Sequence, residues 1–120
     1  MKLYNWEAVE YEQMGPLIGR QVINSERMTI ARIHVKEDGI VARHHHENEQ
    51  VTQMLEGRLR FVFDNREIVV SSGDVLEISS NEPHEVIALE DSLAIDTFQP
   101  RRSDWLSGDD AYLRTSSGGS

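Results

Sequence analysis

The chain contains no cysteine, which removes disulfide frameworks and thiolate sites and excludes zinc-finger architectures. Any metal held by this protein has to be bound by imidazole, carboxylate, amide or water. Basic residues are the next scarcity: 12 lysines and arginines stand against 21 aspartates and glutamates, for a formal net charge of −9. A phosphate backbone is gripped mainly by clustered lysine and arginine, so nucleic-acid partners are disfavoured, and no continuous basic stripe offsets that balance. An acidic protein that handles an anionic metabolite must concentrate its few arginines locally, against its overall field, which makes individual arginines worth following. Long apolar runs are missing too. None reaches the length needed to cross a bilayer, and Met1 to Trp6 lacks the apolar centre of a secretion signal, so a soluble, cytoplasmic protein without membrane partners is the expectation.

Also missing before Pro100 is any long amphipathic helical pattern. Short segments rich in β-branched residues recur instead about every eight to twelve residues. Turn signals separate them: Gly15-Pro16, Asn24-Ser25-Glu26, Glu37-Asp38-Gly39, Glu56-Gly57, Asp64-Asn65 and Ser72-Gly73-Asp74. Strands are expected over 17–23, 28–35, 40–42, 50–55, 58–63, 67–70, 75–78, 84–89 and 92–98. Such a string argues for an all-β sandwich or barrel. With 120 residues the chain forms one domain, expected over 1–113, followed by a flexible serine- and glycine-rich tail over 114–120. Residues 1–14 fit a terminal strand or arm folding across the body, and 103–113 a short helical or irregular tail packed on the barrel.

Three of the five histidines fall within His44-His45-His46. On an extended backbone His44 and His46 share a face, Gln50 and Thr52 can join it, and His45 points away. A metal that prefers nitrogen and oxygen donors needs at least one more ligand, and His84, in Asn81-Glu82-Pro83-His84, is the candidate. Nickel, zinc, iron, manganese and copper all accept such a set, so one divalent transition-metal ion is the expected cofactor. The alternative is a solvated histidine loop or an adventitious nickel binder. His34 reads as a satisfied histidine at a barrel mouth or surface, and Arg58 with Arg60 as a solvated or subunit-facing stripe. On the last strand Asp96 and Phe98 share a face, and a carboxylate there is costly to bury unless paired or working. Arg102, just past Pro100, can return to the same mouth. Residue types leave two readings open: an acid/base group with a carboxylate clamp, or a structural Asp96–Arg102 pair.

The segments Gly39 to His46, with Gln50 and Gly57, and Gly73 to His84 together resemble the cupin double motif. That resemblance implies a double-stranded β-helix, a jelly-roll barrel, with His44, His46, Gln50 and His84 as metal ligands on one wall. Gln50 stands where a glutamate is common, and Glu49 has the wrong strand parity to replace it. Asn81 stands where glycine is usual, and Asn tolerates the left-handed backbone nearly as well. The ending Asp96-Thr97-Phe98 with Arg102, and the tail Asp110-Ala111-Tyr112-Leu113-Arg114, resemble a narrower group, the pectin degradation protein KdgF family. Its members linearise 4,5-unsaturated uronates from pectin and alginate. The resemblance implies catalytic roles for Asp96, Phe98 and Arg102, a small anionic sugar acid as substrate, and Thr52 as the polar residue two positions after the metal-binding amide. Thr52 offers a hydroxyl where a relative has a glutamine. Small cupins commonly pair through sheet edges and arms, so a homodimer is expected. A metal-dependent cupin dioxygenase and a non-catalytic sugar-acid-binding cupin remain the alternatives.

Overall fold

Alternation of inward and outward side chains carries the architecture. In Thr29–Val35, residues Thr29, Ala31, Ile33 and Val35 are buried while Ile30, Arg32 and His34 are less so, as a strand with one face on a core requires. The computed structural model describes residues 1–108, 110 and 113. Among them ten strands form: β1 (Glu12–Gln13), β2 (Ile18–Asn24), β3 (Thr29–Val35), β4 (Ile40–His44), β5 (Glu49–Glu56), β6 (Arg58–Val62), β7 (Glu67–Ser71), β8 (Val75–Ile78), β9 (His84–Ala88) and β10 (Ser92–Gln99). A helical turn, α1 (Ser103–Leu106), follows. The expected strands are all present, and no end differs by more than two residues. The reading of 114–120 as a flexible tail lies outside the described residues, as do Ala111, Tyr112 and Arg114 of the tail motif.

The strands form two antiparallel sheets, ordered β1-β2-β3-β10-β5-β8 and β4-β9-β6-β7. Their inner faces meet over Ile33, Met54, Ile78 and Ala94 from one side and Leu59, Phe61, Val70 and Val86 from the other. Burying each of these side chains except that of Ala94 stabilises the fold by about 1.5–3 kcal/mol, so both walls of the barrel are stiffly held. The N-terminal arm lies across β2: the Gln21 amide donates to the carbonyls of Trp6 at 2.7 Å and Val9 at 3.0 Å. Gly57 turns β5 into β6 at φ 84°, and a Cβ there would sit 2.3 Å from Ser92 Oγ and 2.4 Å from the Asp91 carbonyl.

Two registers bring polar side chains of different strands together. Across β4 and β9, His44 lies opposite His84, next to a bulge between Val41 and His44. Across β5 and β10, Gln50 lies opposite Phe98 and Thr52 opposite Asp96.

Candidate metal centre and active site

Strand β4 ends at His44 and β5 begins at Glu49, so the expectation of one extended run carrying His44, His46, Gln50 and Thr52 needs correction. His46 arrives from the connection between the strands. Its position is set by contacts distant in sequence: the Asn81 N–H donates to the His46 carbonyl at 2.7 Å, and Ser80 Oγ donates to the Glu47 carbonyl at 2.7 Å. The Asn48 amide donates to the carbonyls of Pro100 and Arg101. Asn81 makes its turn at φ 61°, the left-handed conformation expected of it. His45 and Glu49 are exposed, whereas His46 and Gln50 are buried.

The ring nitrogens of His44, His46 and His84 available to a metal lie within 4.8 Å of one another. Each ring is oriented the same way: Nδ1 meets a backbone carbonyl, Ala42 at 2.8 Å for His44, Asn48 at 3.0 Å for His46, and Glu82 at 2.8 Å for His84. A carbonyl oxygen only accepts, so Nδ1 carries the proton and the Nε2 lone pair is left for the cluster. Gln50 Nε2 donates to Thr52 Oγ1 at 2.8 Å, and Gln50 Oε1 faces His46 Nε2 at 3.2 Å. Two acceptors at that separation repel unless a cation lies between them. Three neutral nitrogens and an amide oxygen therefore fit a divalent transition-metal ion, which those residues could hold.

Burial is the main reason the imidazoles lie below the ordinary histidine range. His44 is pushed down to about 3, with the neighbouring His84 adding repulsion and the Ala42 hydrogen bond opposing it. His46 is pushed down to about 4 by burial and then by the Arg102 charge, and His84 shifts the same way, again through burial. The folded chain thus binds fewer protons than the unfolded chain from pH 6.5 down to about 4, and stability is lost as pH falls through that window. Asp96 acts in the opposite sense, raised from 3.8 to about 6, so its cost appears as pH rises. Three groups outweigh one. The melting temperature of the metal-free protein is expected to drop between about pH 7 and about pH 5; a rise on acidification would contradict this assignment.

The Asp96 carboxyl accepts from Thr52 Oγ1 at 2.6 Å. Burial raises it, while the Thr52 hydrogen bond, the Arg102 charge and a hydrogen bond from the Gln50 side chain pull the other way without prevailing. Phe98 is fully buried, its ring 5.6 Å edge-on from His46 and 5.2 Å from Trp105. The Asp96–Arg102 pair that residue types left open does not form. Arg102 instead holds Asp104, through Nε at 2.9 Å and Nη2 at 2.6 Å. Its guanidinium lies 4.6 Å from the centre of Phe98 and 4.4 Å from that of Trp105, and its backbone N–H donates to Thr29 Oγ1 at 2.9 Å.

His44, Gln50, His84, Asp96, Phe98 and Arg102 all line one cleft. His34 lies apart from it, half-buried 5.2 Å from Tyr11 and with Nε2 3.4 Å from Gln21 Oε1. Arg58 pairs with Glu90 at 2.9 Å and Arg60 stands 3.7 Å from Glu67, each with a substantially exposed side chain. Three participants escaped the reading of the sequence: Asn48, Asp104 and Trp105. Trp105 stood out only as a large apolar residue in a polar segment, and Asp104 only as a carboxylate two positions after Arg102. Nothing local marked Asn48.

A cupin-domain family model matches residues 31–95. The pectin degradation protein KdgF of Dickeya dadantii (strain 3937) is 30% identical over 99 residues, which cover 80% of this chain and 90% of that protein. Among solved structures, KdgF from Halomonas sp. superposes with a TM-score of 0.80 at 23% identity, covering 87% of this chain and 99% of the other. An RmlC-like cupin from Shewanella frigidimarina NCIMB 400 superposes with a TM-score of 0.81 at 24% identity, covering 88% and 96%. These two structural likenesses speak to the fold.

Proposed function

This chain belongs to the cupin family, within it to the group of the pectin degradation protein KdgF, and on that premise we propose that it opens the ring of 4,5-unsaturated hexuronates. The product is the linear 4-deoxy-5-ketouronate, an isomer of the substrate. The observation that carries this reading is one carboxyl group, Asp96, lining the same cleft as His44, His84 and Gln50 and raised to about 6. A group with a pKa near neutrality both takes and returns a proton at little cost.

His44, His46, His84 and Gln50 would hold one divalent transition-metal ion, which when bound would supply Lewis-acid stabilisation of negative charge on substrate oxygens. The remaining work falls to the chain. Asp96, ionised, takes the proton from the anomeric hydroxyl as C1 becomes an aldehyde and the bond from C1 to the ring oxygen breaks. The electron pair of that bond stays on the oxygen of C5, leaving an enol(ate) across C4 and C5. Asp96 then delivers the proton to C4 as C5 becomes the ketone, so nothing is oxidised or reduced. Thr52, donating to Asp96 Oδ1, keeps the carboxyl group aimed into the cleft. Arg102 offers its charge to the substrate carboxylate, with Asp104 as the internal carboxylate it already holds. Phe98 forms the apolar wall against which the sugar face rests.

Arg102→Lys keeps the charge and loses the planar fork, so KM is expected to rise more than kcat falls; an unchanged KM would remove Arg102 from substrate binding. The reaction class is tested with an oxygen electrode. Metal-loaded protein mixed with an unsaturated galacturonate is expected to consume the uronate with no oxygen uptake. Uptake matching substrate loss would establish a dioxygenase instead, and binding without turnover a sugar-acid-binding cupin.

A further inference from the structure

The proposed metal ligands include one that can be presented the wrong way round. An imidazole offers the same nitrogen whichever way its neighbours lean, but a glutamine amide has an oxygen at one corner and an NH2 group at the other, and rotation by a half turn exchanges them. With the NH2 group turned towards His46, Gln50 would donate to the Nε2 lone pair, a favourable hydrogen bond that closes the site to a cation. Orientation has to be enforced from the far side.

The far side holds a chain of two short hydrogen bonds through Thr52, and the Gln50 side chain also hydrogen-bonds the Asp96 carboxyl. Thr52 Oγ1 lies 2.6 Å from Asp96 Oδ1 and 2.8 Å from Gln50 Nε2. An ionised carboxylate only accepts, so the single Thr52 proton goes to Asp96. The hydroxyl oxygen is then left as an acceptor and requires an N–H from Gln50. That places Gln50 Oε1 at the other corner, 3.2 Å from His46 Nε2. Thr52 is 1% exposed and Gln50 5% exposed, so water has little access to substitute for either bond. The register that puts Thr52 opposite Asp96 builds this chain into the sheet.

We propose that Thr52 is a positioning residue: its hydroxyl, polarised by Asp96, locks the Gln50 amide with the oxygen towards the three histidines. The threonine thereby sets metal affinity through Gln50, a role separate from its contact with the proton-carrying carboxyl. This rests on the metal reading of the cluster and is independent of the reaction assigned to it.

The test is the dissociation constant of Zn2+ for the full chain, measured by competition with a chromophoric chelator. Thr52→Val is expected to weaken binding about ten- to a hundredfold, the usual cost of losing a partner behind a metal ligand, and Thr52→Ser to bind like the wild type. Glu at position 50 has oxygen at both corners and needs no orienting, so Thr52→Val added to Gln50→Glu should change affinity little relative to Gln50→Glu alone. An undiminished affinity in Thr52→Val, or the same loss in the Gln50→Glu background, would overturn the proposal while leaving the metal site intact. Wild-type protein that binds no Zn2+ would overturn both. Thr52→Ala replaces Thr52→Val in the same comparison if the valine variant does not fold.

Discussion

Asp96→Asn is expected to lower turnover of an unsaturated uronate by about a hundred- to ten-thousandfold, the range that general acid–base catalysis contributes, while bound metal stays at the wild-type level. The separation of the two readouts follows from the geometry. Asp96 lies opposite Thr52 and accepts its hydrogen bond at 2.6 Å, and the Oδ1 of an asparagine accepts the same bond. The three histidine nitrogens are oriented by the carbonyls of Ala42, Asn48 and Glu82, none of which involves Asp96. The variant removes the capacity to carry a proton and the negative charge, while the retained Oδ1 keeps the acceptor that the Thr52 hydroxyl needs. The same logic gives a pH profile: the base must be ionised, so wild-type kcat/KM should decline as pH falls below about 6. Metal loss from Asp96→Asn would make the residue structural. Undiminished turnover would move the proton shuttle elsewhere.

His84→Ala is expected to abolish stoichiometric metal binding, with affinity falling more than about a hundredfold, beyond what loss of a ligand's supporting hydrogen bond costs. His84 is 1% exposed, its ring centre 4.5 Å from that of His44 and 5.4 Å from that of His46. No other histidine can take its place: His34 packs on Tyr11 and His45 is exposed. Fold need not suffer, because the two rows of apolar side chains that join the sheets remain. Elemental analysis beside a circular-dichroism melt reads both quantities, and a folded His84→Ala protein with full metal content would remove His84 from the ligand set.

Much of this molecule is written locally. The strands were legible because period-two alternation over Thr29–Val35 and its counterparts is a property of each segment alone. Asn81 could be read as a left-handed turn for the same reason. The cluster of His44 and His84 was legible through motif spacing, and Gln50 was separable from Glu49 by strand parity. His46 joins His44 as expected but not through an extended run, since the Asn81 N–H donating to the His46 carbonyl and the Asn48 amide donating to the Pro100 carbonyl decide where that connection lies. Arg102 was picked out by its place after Pro100, but its partner was not. Choosing Asp104 over Asp96 depends on how α1 carries Trp105 back onto Phe98, and no single segment encodes that packing.

Opening of an unsaturated uronate ring without oxidation is the reaction proposed for this cleft. It is tested most directly by giving the purified, metal-loaded protein the 4,5-unsaturated galacturonate under argon, with Asp96→Asn alongside, and following the conjugated ultraviolet absorbance and the mass of the product. Rapid loss of absorbance is expected with the wild type, with a product of the same mass as the substrate and a rate close to the buffer blank with Asp96→Asn. Loss of absorbance by the wild type no faster than the blank, or a product heavier by oxygen, would contradict that reaction.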